Sequence, residues 1–290
     1  MMNTQILLLF RPLHYVKNLI IFAPAFFGGV LLDSSVFSQV FLAFVSFCFA
    51  SSFIYIVNDA RDVEYDRKHP VKKNRPLAAG TVTLKQATPW AIALLFGALT
   101  LAFLVSIQAF TLVTVYILLN VLYSFGLKNV PIIDLLIVST GFVLRLFTGG
   151  VASGVVLSEW IIALTFILSL LLITAKRRDD VLIYSRTQVS NRYVASIYNI
   201  KVIDSIILLS AVSAAVFYVM WTIFSDFGSL REGYSLTLTA FFVIAGLIKY
   251  ALIVFKEEKS GNPTDIMLEN KTIQLITICW VGSLVWYVYL

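Results

Sequence analysis

Nine stretches of roughly 17–22 mostly apolar residues recur along this chain, each about as long as an α-helix must be to cross the hydrocarbon of a bilayer. They fall near 13–32, 36–57, 90–107, 109–125, 131–152, 159–175, 203–224, 235–255 and 273–290. No soluble fold of 290 residues has an interior large enough to hide all of them. Composition agrees, with 59% hydrophobic and only 13% charged residues, about half the share usual in soluble domains. The expectation is an all-α, multi-pass transmembrane bundle of nine helices, forming one integral membrane domain over residues 1–290 with the lipid bilayer as its solvent. Pro24 interrupts the first stretch, and Arg11, His14 and Lys17 crowd its start.

The basic residues orient these helices. Of 22 Lys and Arg residues, Arg145 and Lys249 lie within spans and Arg231 stands alone on one side, while the other 19 fall on the opposite side. Positive loops stay in the cytoplasm, so the N-terminus and the long connections 58–88 and 176–202 are expected there, as the polar cap of an active site, with residue 290 outside. The net charge of +6 is then an orientation signal and no sign of nucleic-acid binding. Cys48 and Cys279 sit within spans and read as packing residues. His14 and His69 lack the spacing of metal ligands, and Lys249 is near enough to a helix end to snorkel.

Polar chemistry gathers after the second span, in Asn58-Asp59-Ala60-Arg61-Asp62-Val63-Glu64-Tyr65-Asp66. If the helix continues past the membrane surface, Asp59, Asp62 and Asp66 share one face at spacings of three and four, in line with Ser51 and Tyr55 deeper in the bilayer. Like charges so placed repel unless a cation lies between them. The face is either a solvated acidic helix end or a set of hard oxygen ligands suited to Mg2+, which shares its coordination with waters and substrate phosphates. The next segment, Lys72-Lys73-Asn74-Arg75-Pro76-Leu77-Ala78-Ala79-Gly80, favours the second reading. Carboxylates for a metal and cations such as Lys73 and Arg75 for phosphate oxygens are the two halves of a diphosphate site.

The ordered pattern Asn58-Asp59-x-x-Asp62-x-x-x-Asp66, then Asn74-Arg75-Pro76-Leu77-x-x-Gly80, resembles the signature of the UbiA superfamily of intramembrane prenyltransferases. The resemblance implies nine helices around a central cavity over the whole chain. It also implies an enzyme in which Asp59, Asp62 and Asp66, with Asn58, hold Mg2+ against a diphosphate and are catalytic.

After the sixth span the pattern departs. Aromatic prenyltransferases of the superfamily carry Asp-x-x-x-Asp there, whereas this chain has Lys176-Arg177-Arg178-Asp179-Asp180, with adjacent acids and three preceding cations. Basic residues are ordinary at a cytoplasmic helix end, but a cluster replacing an acid pair also suits one more anion, held by Lys176 and Arg177. Arg11-Pro12-x-x-x-x-Lys17-Asn18, Tyr123-Ser124-Phe125-Gly126-Leu127-Lys128 with Asp134, and Gly261-Asn262-Pro263-Thr264-Asp265-Ile266 resemble the decaprenyl-phosphate phosphoribosyltransferase branch. That branch implies transfer of a 5-phosphoribosyl group from phosphoribosyl diphosphate to a polyprenyl phosphate, releasing diphosphate, in cell-envelope precursor synthesis. Within the fifth span Asp134 and Arg145 lie eleven residues apart on one helix face. Ionisable groups at such depth face a bundle interior or wet cavity, so they read either as structural pairs or as a polar wall for substrate. Two other functions fit less of the chain: an aromatic prenyltransferase in quinone or related lipid synthesis, and a transporter, whose charges would lie at midplane on broken helices.

Overall fold

The computed structural model describes residues 2–68, 72–187, 194–224, 236–256, 266 and 269–290. Among the described residues every regular element is helical. They are α1 (Met2–Phe10), a 3-10 segment (Pro12–Phe22), α2 (Ala23–Phe27), α3 (Ser34–Arg67), α4 (Leu84–Val105), α5 (Ile107–Phe125), α6 (Ile133–Ser153), α7 (Glu159–Thr187), α8 (Val194–Ile197), α9 (Ile200–Phe224), α10 (Ala240–Lys256) and α11 (Lys271–Tyr289). Eight of the described helices are long and apolar enough to cross a membrane.

The first expected span, 13–32, is not one continuous helix. Proline disfavours the α conformation in the residue before it, so α1 stops at Phe10 and Arg11 turns the chain with φ 53 and ψ 58. Beyond it runs the 3-10 segment, in which side chains three apart eclipse one another. Tyr15, Asn18 and Ile21 therefore form one row. Tyr15 OH is hydrogen-bonded to Ser52 Oγ at 2.8 Å, Asn18 Nδ2 donates to Ser51 Oγ at 3.4 Å, and Ile21 is fully buried.

The chain divides into two compact units. One comprises Met1–Phe26, Val30–Ile137 and Leu144–Val156. Its core is built on α3, where Val40, Ala43, Phe47, Ala50 and Ile54 recur at helical spacing and meet Ala98 and Ala102 of α4, Val113, Tyr116 and Ile117 of α5, and Leu144 of α6. Lipid offers no hydrophobic drive between helices, so small residues that allow close approach carry the packing. Ser46 Oγ accordingly reaches the Ala98 carbonyl at 2.8 Å. Helices α4 and α5 are joined by Ser106 alone, whose extended backbone ends one and whose hydroxyl accepts from Ala109 N–H at 3.0 Å to cap the other.

The other unit comprises Phe27–Gly29, Val138–Val143 and Leu157–Leu290. Leu171 and Ala175 of α7, Ile203 and Ile207 of α9, and Tyr250 and Val254 of α10 form its core. Tyr218 OH accepts from Trp280 Nε1 at 2.8 Å and is hydrogen-bonded to Thr239 Oγ1 at 2.7 Å, joining α9, α11 and the turn before α10.

A very close backbone approach occurs at Gly149 of α6, where a Cβ would lie 2.1 Å from the Ile21 carbonyl oxygen. That oxygen belongs to the backbone and cannot rotate away. Gly149→Ala should lower the thermal midpoint of the purified protein in detergent, by an amount corresponding to about 1–3 kcal/mol of overpacking. Gly282→Ala, where a Cβ meets nothing within 4 Å, should leave the midpoint within error of the parent.

Candidate active site

A helix rises 1.5 Å per residue, so the 34 residues of α3 extend about 51 Å against a hydrocarbon core of about 30 Å. The polar end from Asn58 to Arg67 is the part left over, and Asp59, Asp62 and Asp66 project from it as the spacing predicts. Asp59 and Asp66 are buried, with side chains only 3% exposed, and Asp62 is 23% exposed.

Each carboxylate meets a cation delivered by another part of the same unit. Arg11, turned by its left-handed backbone, donates from Nη2 to Asp59 Oδ1 and lays its guanidinium 4.9 Å from the Tyr55 ring centroid. Arg75 Nη1 donates to Asp66 Oδ2 at 2.7 Å and to Asp59 Oδ1 at 3.0 Å. Lys128 Nζ donates to Asp62 Oδ1.

Local sequence explains each delivery. Leu77 and Val82 are buried against Ile6, Leu9 and Ile56, which pins the segment after Arg75 to α3. Gly80, at φ 74, supplies a left-handed turn, and Val82 N–H reaches back to the Pro76 carbonyl at 3.2 Å. Arg67 Nε adds a bond to the Ala78 carbonyl at 3.4 Å. The Asn-Arg-Pro-Leu-Ala-Ala-Gly run is thus a mount that aims Arg75 at the acids. Lys128 sits in the short 3-10 turn Leu127–Asn129 that follows α5, and is itself buried.

Beneath this site Arg145 of α6 donates from Nε to Asn18 Oδ1 at 2.7 Å and from Nη2 to Tyr116 OH at 2.9 Å. Its guanidinium lies 4.6 Å from the Tyr116 ring centroid and 5.3 Å from that of Phe47. Asn18 is held in turn by Cys48 Sγ and Ser51 Oγ. Asp134 opens α6 and is fully buried; Tyr123 is buried at the end of α5; Asn58 and Lys17 are half-buried; Lys73 is exposed. Tyr116, a lone polar ring in an apolar run, does not stand out in the sequence, although its hydroxyl completes the Arg145 network.

The polar end of α7 belongs to the second unit. Arg177, 1% exposed, donates from Nη1 to Asp180 Oδ2 at 2.8 Å. Lys176 and Asp179 are half-buried. Arg178 serves packing: Nε donates to Asp204 Oδ1 at 2.7 Å, Nη1 donates to the Val254 carbonyl at 3.0 Å, and the group lies over Phe255. Neither Arg178 nor Asp204 stands out in the sequence for a role of its own; the only signal is a carboxylate at the head of an apolar run. Positions 69 and 261–265, which include His69 and most of the Gly261–Ile266 motif, lie outside the described residues.

Among the described residues, no three His, Cys, Asp or Glu groups lie close enough to enclose a metal ion. The donors on α3 are nevertheless all hard oxygens. They fit Mg2+, which takes one or two carboxylates and fills its octahedron with waters and phosphate oxygens.

The role of Arg178 is testable apart from chemistry. Asp204→Ala strands part of a buried guanidinium and should cost roughly 1–3 kcal/mol, read as a lower thermal midpoint. An unchanged midpoint would remove the strut.

The UbiA prenyltransferase family model matches residues 21–271. A decaprenyl-phosphate phosphoribosyltransferase of Corynebacterium glutamicum is 34% identical over 97% of this chain and 85% of its own length. One of Mycolicibacterium smegmatis is 32% identical over 94% of this chain and 89% of its own. A UbiA homologue from Archaeoglobus fulgidus, solved with GPP and Mg2+, superposes with a TM-score of 0.74 at 17% identity, covering 99% of this chain and all of that one. These matches agree with the motifs on α3 and in the loop after it: this integral membrane protein belongs to the UbiA prenyltransferase family.

Proposed function

We propose that the protein transfers a 5-phosphoribosyl group from phosphoribosyl diphosphate to a polyprenyl phosphate, releasing diphosphate. The observation that carries this reading is the similarity, over nearly the whole chain, to relatives that bear the name decaprenyl-phosphate phosphoribosyltransferase. The number of cations supports it, since Arg11, Arg75 and Lys128 stand among the acids and Lys176 and Arg177 occupy the end of α7. Two phosphorylated substrates require more positive charge than one diphosphate and a neutral phenol.

Asp59, Asp62 and Asp66, with Asn58, would hold Mg2+. When bound, the ion would neutralise charge building on the departing diphosphate. The chain's own groups would add to that neutralisation, because Arg75 and Arg11 offer planar forks that match phosphate oxygens, and Lys128 and Lys73 offer point charges. Preorganised charge aimed at a leaving group is the usual large contribution to such a rate. The sugar C1–O bond breaks with its electron pair going to diphosphate, and an oxygen of the lipid phosphate forms the new bond to C1. With a second pKa near 6, that phosphate is already largely ionised at neutral pH, so no side chain need remove a proton. Lys17, Tyr123, Asp134 and Arg145 are the further proposed substrate contacts of the first unit, and Lys176 and Arg177 those of the second. The distribution of Lys and Arg supports placing 58–88 and 176–202 on the cytoplasmic side.

Purified protein supplied with Mg2+, labelled phosphoribosyl diphosphate and a polyprenyl phosphate should yield labelled lipid. It should not prenylate 4-hydroxybenzoate from a polyprenyl diphosphate; the reverse result would move it to the aromatic prenyltransferases. In the same assay Asp62→Asn, which keeps shape and removes charge, should lose at least about 10²-fold in turnover, as when one electrostatic stabiliser is removed. Parent-like turnover would reject the role of Asp62.

A further inference from the structure

We propose that Arg75 competes with the metal ion for Asp59 and Asp66 and is released by diphosphate, so that the two ligands load cooperatively; this rests on reading those carboxylates as metal ligands. A single nitrogen, Arg75 Nη1, lies 2.7 Å from Asp66 Oδ2 and 3.0 Å from Asp59 Oδ1, filling the gap between two acids two helical turns apart. Both acid side chains are only 3% exposed, and that of Arg75 is 25% exposed. An ion bound to either of those oxygens at about 2.1 Å would be pressed against the guanidinium, two cations sharing the same lone pairs. One must leave.

The two arginines on Asp59 are not equivalent. Arg11 also rests on the Tyr55 ring, a contact that holds it in addition to its hydrogen bond. Arg75 has no ring contact among those the structure describes, while its backbone is fixed by the Leu77, Gly80 and Val82 mount. Its side chain is the part free to turn. Displaced from the acids, the guanidinium is a partly buried charge in need of an anion, and a diphosphate presents oxygens in the geometry its fork matches. Metal without diphosphate must therefore leave Arg75 stranded, and diphosphate without metal must take Arg75 from acids that then repel. Each ligand removes the other's penalty, and the coupling is reciprocal.

The test uses the full-length purified protein and Mn2+ as a probe, with free Mn2+ followed by electron paramagnetic resonance and no donor or acceptor present. Arg75→Ala should bind Mn2+ alone at least about fivefold more tightly than the parent, at the low end of usual coupling strengths. Arg75→Gln, which retains a hydrogen-bonding side chain, should shift in the same direction and serves if the alanine variant does not fold. Lys68→Ala removes an equal charge from the end of α3 and should change the affinity far less. Equal affinities in the parent and both Arg75 variants would overturn the competition. An equal gain in Lys68→Ala would reduce it to a loss of net charge and overturn it too. No Mn2+ binding by any of these proteins would remove the metal site and this proposal together. Failure of the donor assay, with the Mn2+ affinities shifted as expected, would leave Arg75 as the competitor and reject only the substrate assignment.

Discussion

Three carboxylates at spacings of three and four on one helix face repel one another, and much of the first unit is arranged around that electrostatic demand. Arg11, Arg75 and Lys128 come from three separate stretches of chain, and each stretch has a local device that aims its cation inwards. For Arg11 the device is a left-handed backbone turn where α1 ends. For Arg75 it is a glycine-ended loop anchored on leucine and valine, and for Lys128 a short 3-10 turn directly after α5. The length of α3 makes the arrangement possible, because a helix merely as long as the bilayer is thick would present these acids to lipid, where ionised groups are costly.

Deeper in the same unit lies a second polar network. The Arg145 guanidinium contacts neutral partners in Asn18 and Tyr116 and lies between the Phe47 and Tyr116 rings. Hydrogen bonds and ring faces spread the stabilisation of the charge over several groups, and they tie the 3-10 segment to α5 and α6. The site above therefore stands on a polar floor whose side chains are themselves held by partners.

The membrane-spanning helical class and the acid face were legible because each depends on local periodicity: apolar runs of bilayer length, and acids at i, i+3 and i+7. The cationic partners of the acids were legible as types, since Arg75 and Lys128 lie in motifs resembling those of the family. Their pairing was not, because Lys128 meets Asp62 across 66 residues of sequence and no spacing rule reaches that far. The first span differs in form from its expectation for a related reason. Its composition is apolar enough for a transmembrane α-helix, but Pro12 and Pro24 set backbone constraints that hydropathy does not register, and the chain takes a 3-10 course instead. Arg178 stands in the sequence among cations suited to an anion, whereas Asp204 and the Val254 carbonyl engage it in packing. A run of like charges does not reveal which member turns inwards.

The row formed by Tyr15, Asn18 and Ile21 has a consequence for how this part of the chain can change over evolutionary time. Three residues per turn means 120° per residue, so adding or removing one residue between positions 12 and 21 would rotate part of the row by a third of a circle. Tyr15, Asn18 and Ile21 could not then all face Ser52, Arg145 and Gly149 together. Substitutions that preserve size and polarity are compatible with this segment, while changes of length are not. Its tolerance is that of a threaded rod, which accepts a different finish along its side but not a different pitch.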